Sequence, residues 1–351
     1  MSKFTLVTGL WDLGRGELKD FGRSFDHYKE QFAQLLTLDF PMCIYVPQNL
    51  VSFVEKNRKG KPTHIITKEL NEFKTWFPFY RDVQLIRKDN VWNSQAEWLK
   101  NSPQAQLEFY NPIVMSKFFM LNDAAVGNIF NTDSFFWIDA GLTNTVAKSY
   151  LENMDRLPSY INDKKFVMLS YPYENTPEIH GFYRNEFEKI LGEKSTYVCR
   201  GGFFGGKKET VHELNGAYYG VMTECFSTKC MGTEENFNTI LSHRYKDITR
   251  FELDWNGLVY PFFEELGKLP KPVIRTSKLN WELIPHDKRK DVMDLKTSLY
   301  VLTFNKPKQF ESIAKTWIDN GFDKCRRILI DNSTDSSTYE EYSRICKEYG
   351  F

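Results

Sequence analysis

The chain has 351 residues, with Lys+Arg and Asp+Glu both at 46 and a formal net charge of zero. That length predicts one large domain plus something extra, and the balanced charge argues against a broad nucleic-acid footprint. Six cysteines with no Cys-x-x-Cys pair predict reduced thiols rather than a disulfide framework or a zinc site.

The N-terminus, "MSKFTLVTGLWDLGRG", lacks the apolar core of a signal peptide, and no apolar run reaches the roughly 18 residues of a membrane span. A soluble, cytoplasmic protein is expected, with no nucleic-acid partner and no transmembrane segment. Along the chain, short apolar runs alternate with longer helical patterns, the α/β signature. "FTLVT" (Phe4–Thr8) predicts a first strand, followed by a Gly-rich turn over Gly9–Gly16. Phe25, Tyr28, Phe32 and Leu35 fall at helical spacing, "CIYV" (Cys43–Val46) predicts a second strand, and Val51–Lys56 a short helix. "THII" (Thr63–Ile66) predicts a third strand, and Ile113–Ile129 one amphipathic helix. Aromatic content is 16%, and most of these rings are expected to fill the core.

"FFWIDAGL" (Phe135–Leu142) then runs four large apolar residues into a carboxylate. A strand without polar alternation is buried on both faces, as in the centre of an α/β sheet. Burying an unpaired carboxylate costs several kcal/mol as an order of magnitude, so Asp139 must have a partner. Further strands are predicted at Phe166–Tyr171, Thr196–Arg200 and Ile248–Leu253, with helices near Glu209–Cys225 and Glu234–His243. Residues 268–294, with Pro270, Pro272, Pro285 and the run "HDKRKD", read as a linker between a domain over 1–267 and a partial α/β unit over 295–351. That second unit reads strand, helix (Pro307–Asn320), strand, helix (Tyr339–Tyr349).

Ligands of open α/β sheets sit beyond the carboxyl ends of the strands. Thr8–Gly16, Asp139 and the glycines of "CRGGFFGGKK" (Gly201, Gly202, Gly205, Gly206) are all expected at that edge, with Glu234 and Glu235 opening a helix there. Each has a plainer role available: turns for the glycines, backbone amides for Asp139, a helix cap behind Thr233 for the two acids. None of the histidines, His180 among them, forms a ligand pattern.

"LVTGLWDLGRG", "MSKFFMLNDAA", "FFWIDAGL" and "GGFFGG", in this order, resemble the HtrL/YibB family of bacterial proteins over roughly residues 3–260. The resemblance implies a GT-A-like nucleotide-sugar-binding sandwich, a Rossmann-like mixed sheet flanked by helices. It implies a glycosyltransferase moving a sugar from a nucleotide-sugar donor to a glycan or other hydroxyl acceptor; the alternative is a non-catalytic binding or scaffold module. In such folds an Asp-x-Asp element holds a divalent metal, Mn²⁺ or Mg²⁺, against the donor diphosphate. Asp139 matches its first acid, and Gly141 stands where the second would be. By position, Thr8, Gly9, Leu10, Arg15, Lys117, Asp139 and Gly141 would serve the donor. Gly201, Gly202, Phe203, Gly205 and Gly206 would shape the sugar and acceptor pocket, and Glu235 or Glu234 resembles the acid that such enzymes place near the acceptor hydroxyl, where an inverting transferase needs a general base; inverting and retaining chemistry both stay open. "YVLTFNKPKQF" and "ILIDNSTDSST" resemble the first two strands of the family-two glycosyltransferases, with Asp331 and Asp335 matching uridine-contacting acids. The metal-binding and base-bearing parts of that family are absent from this segment, so it should not be catalytic.

Overall fold

The computed structural model describes residues 4–270 except 175, and 298–351 except 304, 321, 332 and 334–337. The chain divides into two compact units, Met1–Pro272 and Val273–Phe351. Most of the segment read as a linker lies outside the described residues.

The first unit is built on a seven-stranded sheet in the order β3-β2-β1-β4-β8-β5-β9. Its strands are β1 (Phe4–Gly9), β2 (Met42–Val46), β3 (Thr63–Thr67), β4 (Ser134–Ile138), β5 (Phe166–Pro172), β8 (Tyr197–Lys207) and β9 (Ile248–Glu252). All neighbours pair in parallel except β8, which runs antiparallel to both β4 and β5. A two-residue hairpin pair, β6 (Glu178–Ile179) and β7 (Phe182–Tyr183), stands apart from this sheet.

Alternation along the strands divides the core into two layers, one per face. Val7, Tyr45, Phe135, Trp137, Met168 and Phe204 belong to one cluster, which also takes side chains of α2 (Lys117–Gly127), α3 (Lys208–Ser227) and α4 (Glu234–Arg244). Leu6, Ile44, Phe136, Ile138, Leu169 and Phe203 belong to the other, with α1 (Phe25–Leu36) and α5 (Tyr260–Lys268). Both faces of β4 are covered, which is why "SFFWI" is apolar at every position but its first. The α/β sandwich expected from the sequence is the observed architecture. The helix expected over Ile113–Ile129 is two, Tyr110–Met115 and α2, broken at Ser116, whose hydroxyl donates back to the Pro112 carbonyl.

The "CRGGFFGGKK" segment departs from the sequence expectation more sharply. It is no loop: β8 continues through it to Lys207. Glycines at 205 and 206 let three strands approach closely. A Cβ at Gly205 would fall against the Phe135 carbonyl, and one at Gly206 against the Lys165 carbonyl. Because β8 is antiparallel, only its beginning lies at the carboxyl edge of the parallel strands, while Gly206 pairs with Phe135 and Phe166 towards the opposite edge.

In the second unit, β10 (Ser298–Thr303) and β11 (Arg326–Asp331) pair in parallel. Helices α6 (Pro307–Asp319) and α7 (Thr338–Tyr349) pack through Phe310, Ala314, Tyr342 and Ile345. Asp331 ends β11 and accepts a bond from the Ser333 amide at 3.0 Å; Asp335 lies outside the described residues.

Candidate functional site

The chain leaves β1 for β2 and β3 on one side, then returns to place β4 on the other. Such a reversal opens a crevice at the carboxyl ends of the two strands. Here β1 ends at Gly9, β4 runs into Asp139, and antiparallel β8 enters with Arg200, Gly201 and Gly202. A cleft of about 440 Å³ occupies this place, and its lining includes Gly9, Arg15, Lys117, Asp139, Gly202 and Glu235.

Asp139 and Trp137 are two residues apart and share a face. The Trp137 indole therefore reaches its neighbour, with Nε1 donating to Asp139 Oδ1 at 2.7 Å. From the first residue of α2, Lys117 comes down on the same face. Its Nζ lies 2.8 Å from Asp139 Oδ1 and 3.0 Å from Oδ2, 2.6 Å from Glu234 Oε1, and 3.1 Å from the Gly201 carbonyl. The Lys117 and Glu234 side chains are 7% and 8% exposed, whereas Asp139 keeps 37%. Burial pushes the Lys117 ammonium towards its neutral form, but Asp139 and Glu234 outweigh it and hold the charge. Burial pushes the Glu234 carboxyl up; Lys117 pulls it down, and Glu235 and Asp139 push it up again, so the net direction is upward. The ammonium at 2.6 Å is what allows that buried acid to ionise. Gly201 is glycine because a Cβ there would collide with the Glu234 carboxylate.

Glu235, one position on, points elsewhere. It accepts the Gly201 amide at 2.9 Å, takes His180 Nδ1 at 2.7 Å, and lies 3.7 Å from Arg200. Burial pushes its carboxyl up, but His180, Arg200 and the Gly201 amide prevail and hold it at about 2. His180, on the hairpin between β6 and β7, is raised in turn: burial lowers it and Glu235 more than compensates. Its Nε2 is 3.0 Å from the Tyr171 hydroxyl, and the Arg200 guanidinium lies 4.4 Å from the Tyr171 ring. Thr233 caps α4 through the Glu235 amide at 3.3 Å, so the capping role weighed for this segment is present as well.

Of the residues singled out in the sequence, Gly9, Leu10, Arg15, Lys117, Asp139, Gly141, Gly202 and Glu235 line the cleft. Gly201 stands beside it. Thr8 is fully buried within β1, Phe203 packs on Phe136 in the core, Gly205 and Gly206 lie deep in β8, and Glu234 sits behind Lys117. Sequence reading missed Arg23, Tyr28, Tyr110 and Arg200 in the lining, and His180 behind Glu235. Arg15 donates to the Tyr28 hydroxyl at 2.8 Å and to the Phe21 carbonyl at 3.2 Å.

The expected Mn²⁺ or Mg²⁺ site does not fit these side chains. Both oxygens of Asp139 already face Lys117, and one also accepts from Trp137. Glu234 is committed to the same ammonium, position 141 carries no carboxylate, and no group of three metal-ligating side chains exists among the described residues. No helix among the described residues is long and apolar enough to cross a membrane.

"Protein HtrL" of Escherichia coli (strain K12) is 30% identical to the chain over 150 residues, 40% of this chain and 51% of that protein. The chain thus spans about half the length of that curated relative. Among solved structures, mouse xyloside xylosyltransferase 1 in its apo form is similar at 8% identity and a TM-score of 0.38, over 72% of this chain and 84% of that one. Core-mannan synthase A from Aspergillus fumigatus, in a Mn/GDP form, is similar at 10% identity and a TM-score of 0.37, over 72% and 73%. A family model described as "Bacterial protein of unknown function (HtrL_YibB)" matches residues 2–229, well over half of the chain. The chain belongs to the HtrL_YibB family.

Proposed function

We propose that the first unit is a glycosyltransferase of GT-A-like fold, moving a sugar from a nucleotide-sugar donor to a hydroxyl acceptor in the cleft between β1 and β4. The observation that carries this reading is the cleft's cation set at the switch point of an α/β sheet. Arg15, Arg23, Lys117 and Arg200 all line it, and Arg15 and Arg23 have no carboxylate partner among the described residues. Unneutralised guanidinium groups at a strand-end crevice suit a diphosphate, which they can meet with paired donors. Tyr28, Tyr110 and Trp11 bring aromatic side chains into the same lining, a composition that suits a nucleoside base. In this reading Gly9, Leu10 and Gly141 form the donor wall, and Gly202 borders the sugar.

Glu235 is the one carboxylate of its pair that faces the cleft. Held at about 2, it is a weak proton acceptor near neutral pH. Its role is therefore to receive a hydrogen bond from the acceptor hydroxyl and orient it. That commitment also favours a second reading, a nucleotide-sugar-binding module without turnover.

Incubation with a panel of sugar nucleotides and hydroxyl acceptors, followed for nucleotide release, tests the proposal. Release that depends on Arg15 and Arg23 supports the transferase. Binding of donor without release under every acceptor supports the module, and absence of donor binding removes both.

A further inference from the structure

We propose that this cleft binds its donor diphosphate without a divalent cation, Lys117 being the resident positive charge at the acid that would otherwise hold one. The inference rests on the donor-binding reading above and deepens it.

Three observations converge. The first is geometric: a cation bridging Asp139 and a diphosphate must displace the ammonium 2.8 Å away or share the carboxylate with it. Two cations sharing one carboxylate in a partly desolvated place repel strongly. Removing Lys117 instead would strand Glu234, an 8% exposed acid whose ion partner it is. The second is the donor set. Mg²⁺ requires near-octahedral oxygen coordination, commonly from one or two carboxylates plus phosphate and water. Asp139 offers oxygens already engaged by Lys117 and Trp137, and Gly141 offers none. The third is compensation. Four cationic side chains line the cleft against Asp12, Asp139 and Glu235. Arg15 is held for the task by Tyr28 and the Phe21 carbonyl, while Arg23 is exposed. Arg15 and Arg23, which have no carboxylate partner among the described residues, carry the two positive charges that a divalent metal would bring to a diphosphate.

The test is calorimetric titration of the full chain with UDP, GDP, CDP, ADP and inorganic pyrophosphate, once in excess EDTA and once in saturating Mn²⁺. At least one nucleoside diphosphate should bind with affinities equal within about twofold in the two buffers. Arg15→Gln with Arg23→Gln should weaken it at least tenfold, about 1.4 kcal/mol, in both. The pair Lys117→Met with Glu234→Gln removes opposite charges together; it should bind poorly in EDTA and regain affinity in Mn²⁺, because Asp139 is then free to take the ion. Wild-type binding at least about tenfold weaker in EDTA than in Mn²⁺ overturns the inference and leaves the donor reading intact. Failure of every nucleotide in both buffers overturns the two together. The wild-type and double-arginine arms decide the matter even if the Lys117 pair fails to fold.

Discussion

Lys117 and Asp139 meet at the floor of the cleft, 2.8 Å apart, and the lysine is more deeply buried than the acid it serves. Its ammonium also satisfies Glu234 at 2.6 Å. Lys117→Met keeps a straight apolar chain but leaves a buried carboxylate with no cation. Removing one partner of a buried pair costs about 3–5 kcal/mol. Urea denaturation of the variant should show a loss of that size, partly recovered when Glu234→Gln is added. A single-variant loss below about 1 kcal/mol would place the pair in the weak surface class.

Asp139→Asn gives a separate reading of the same acid. It leaves Lys117 with Glu234 but weakens the charged bonds from Lys117 and Trp137. A loss of about 1–3 kcal/mol is expected, the scale for a hydrogen bond to a charged group. Thermal melts should show it with or without Mn²⁺, and wild type should not shift with the ion. A wild-type protein that Mn²⁺ stabilises through Asp139 would contradict the ion-pair role.

The apolar run of β4 announced a central strand, and the alternation of Trp137 and Asp139 fixed which face the acid shares. What the sequence could not convey was direction. Nothing in "YVCRGGFFGGK" states that β8 runs antiparallel, because parallel and antiparallel strands buried on both faces carry the same pattern. The glycines therefore read as a ligand loop, whereas Gly205 and Gly206 serve close strand packing, Gly201 makes room for the Glu234 carboxylate, and Gly202 lines the cleft. His180 was illegible for another reason: its meeting with Glu235 joins a hairpin to a helix start far along the chain, and no local periodicity encodes that. Arg23, Tyr28 and Tyr110 came to the cleft by the same kind of long-range convergence.

That distinction among glycines is testable. A Cβ at Gly205 would strike the Phe135 backbone, which cannot yield without breaking the β4–β8 pairing. At Gly202 it would meet Leu142 at 3.5 Å and an Asp139 oxygen at 3.7 Å, both ordinary contacts. Gly205→Ala should destabilise by at least the roughly 1–3 kcal/mol of overpacking, and Gly202→Ala by much less. Equal losses in chemical denaturation would contradict the packing argument.

The two units have separate apolar clusters: those of the first end at Leu269, and that of the second begins at Val301. A chain ending at Pro272 should therefore unfold cooperatively with a melting temperature near that of the first unit in the full chain. Loss of structure in that truncated chain would mean that residues 273–351 complete the first core.

The pairing of Glu235 with His180 gives the protein two pH limbs. The glutamate is depressed from 4.5 to about 2, so the stability it contributes is fully present above pH 4.5 and is lost as the pH falls from there towards 2. The histidine is raised above 6.5, so its contribution is fully present below pH 6.5 and is lost as the pH rises through its folded value. Glu235→Gln retains an acceptor for the Gly201 amide but removes the charge that raises His180. Subtracting its stability-against-pH curve from that of wild type cancels the other titrating groups. The difference should be greatest between pH 4.5 and 6.5 and shrink on both sides of that window. His180→Gln should remove the alkaline decline and shorten the acid one, because Glu235 would then lose its foremost charge partner and keep Arg200 and the Gly201 amide. A difference curve that stays flat through both windows would show that the pair does not carry opposite charges in the folded protein.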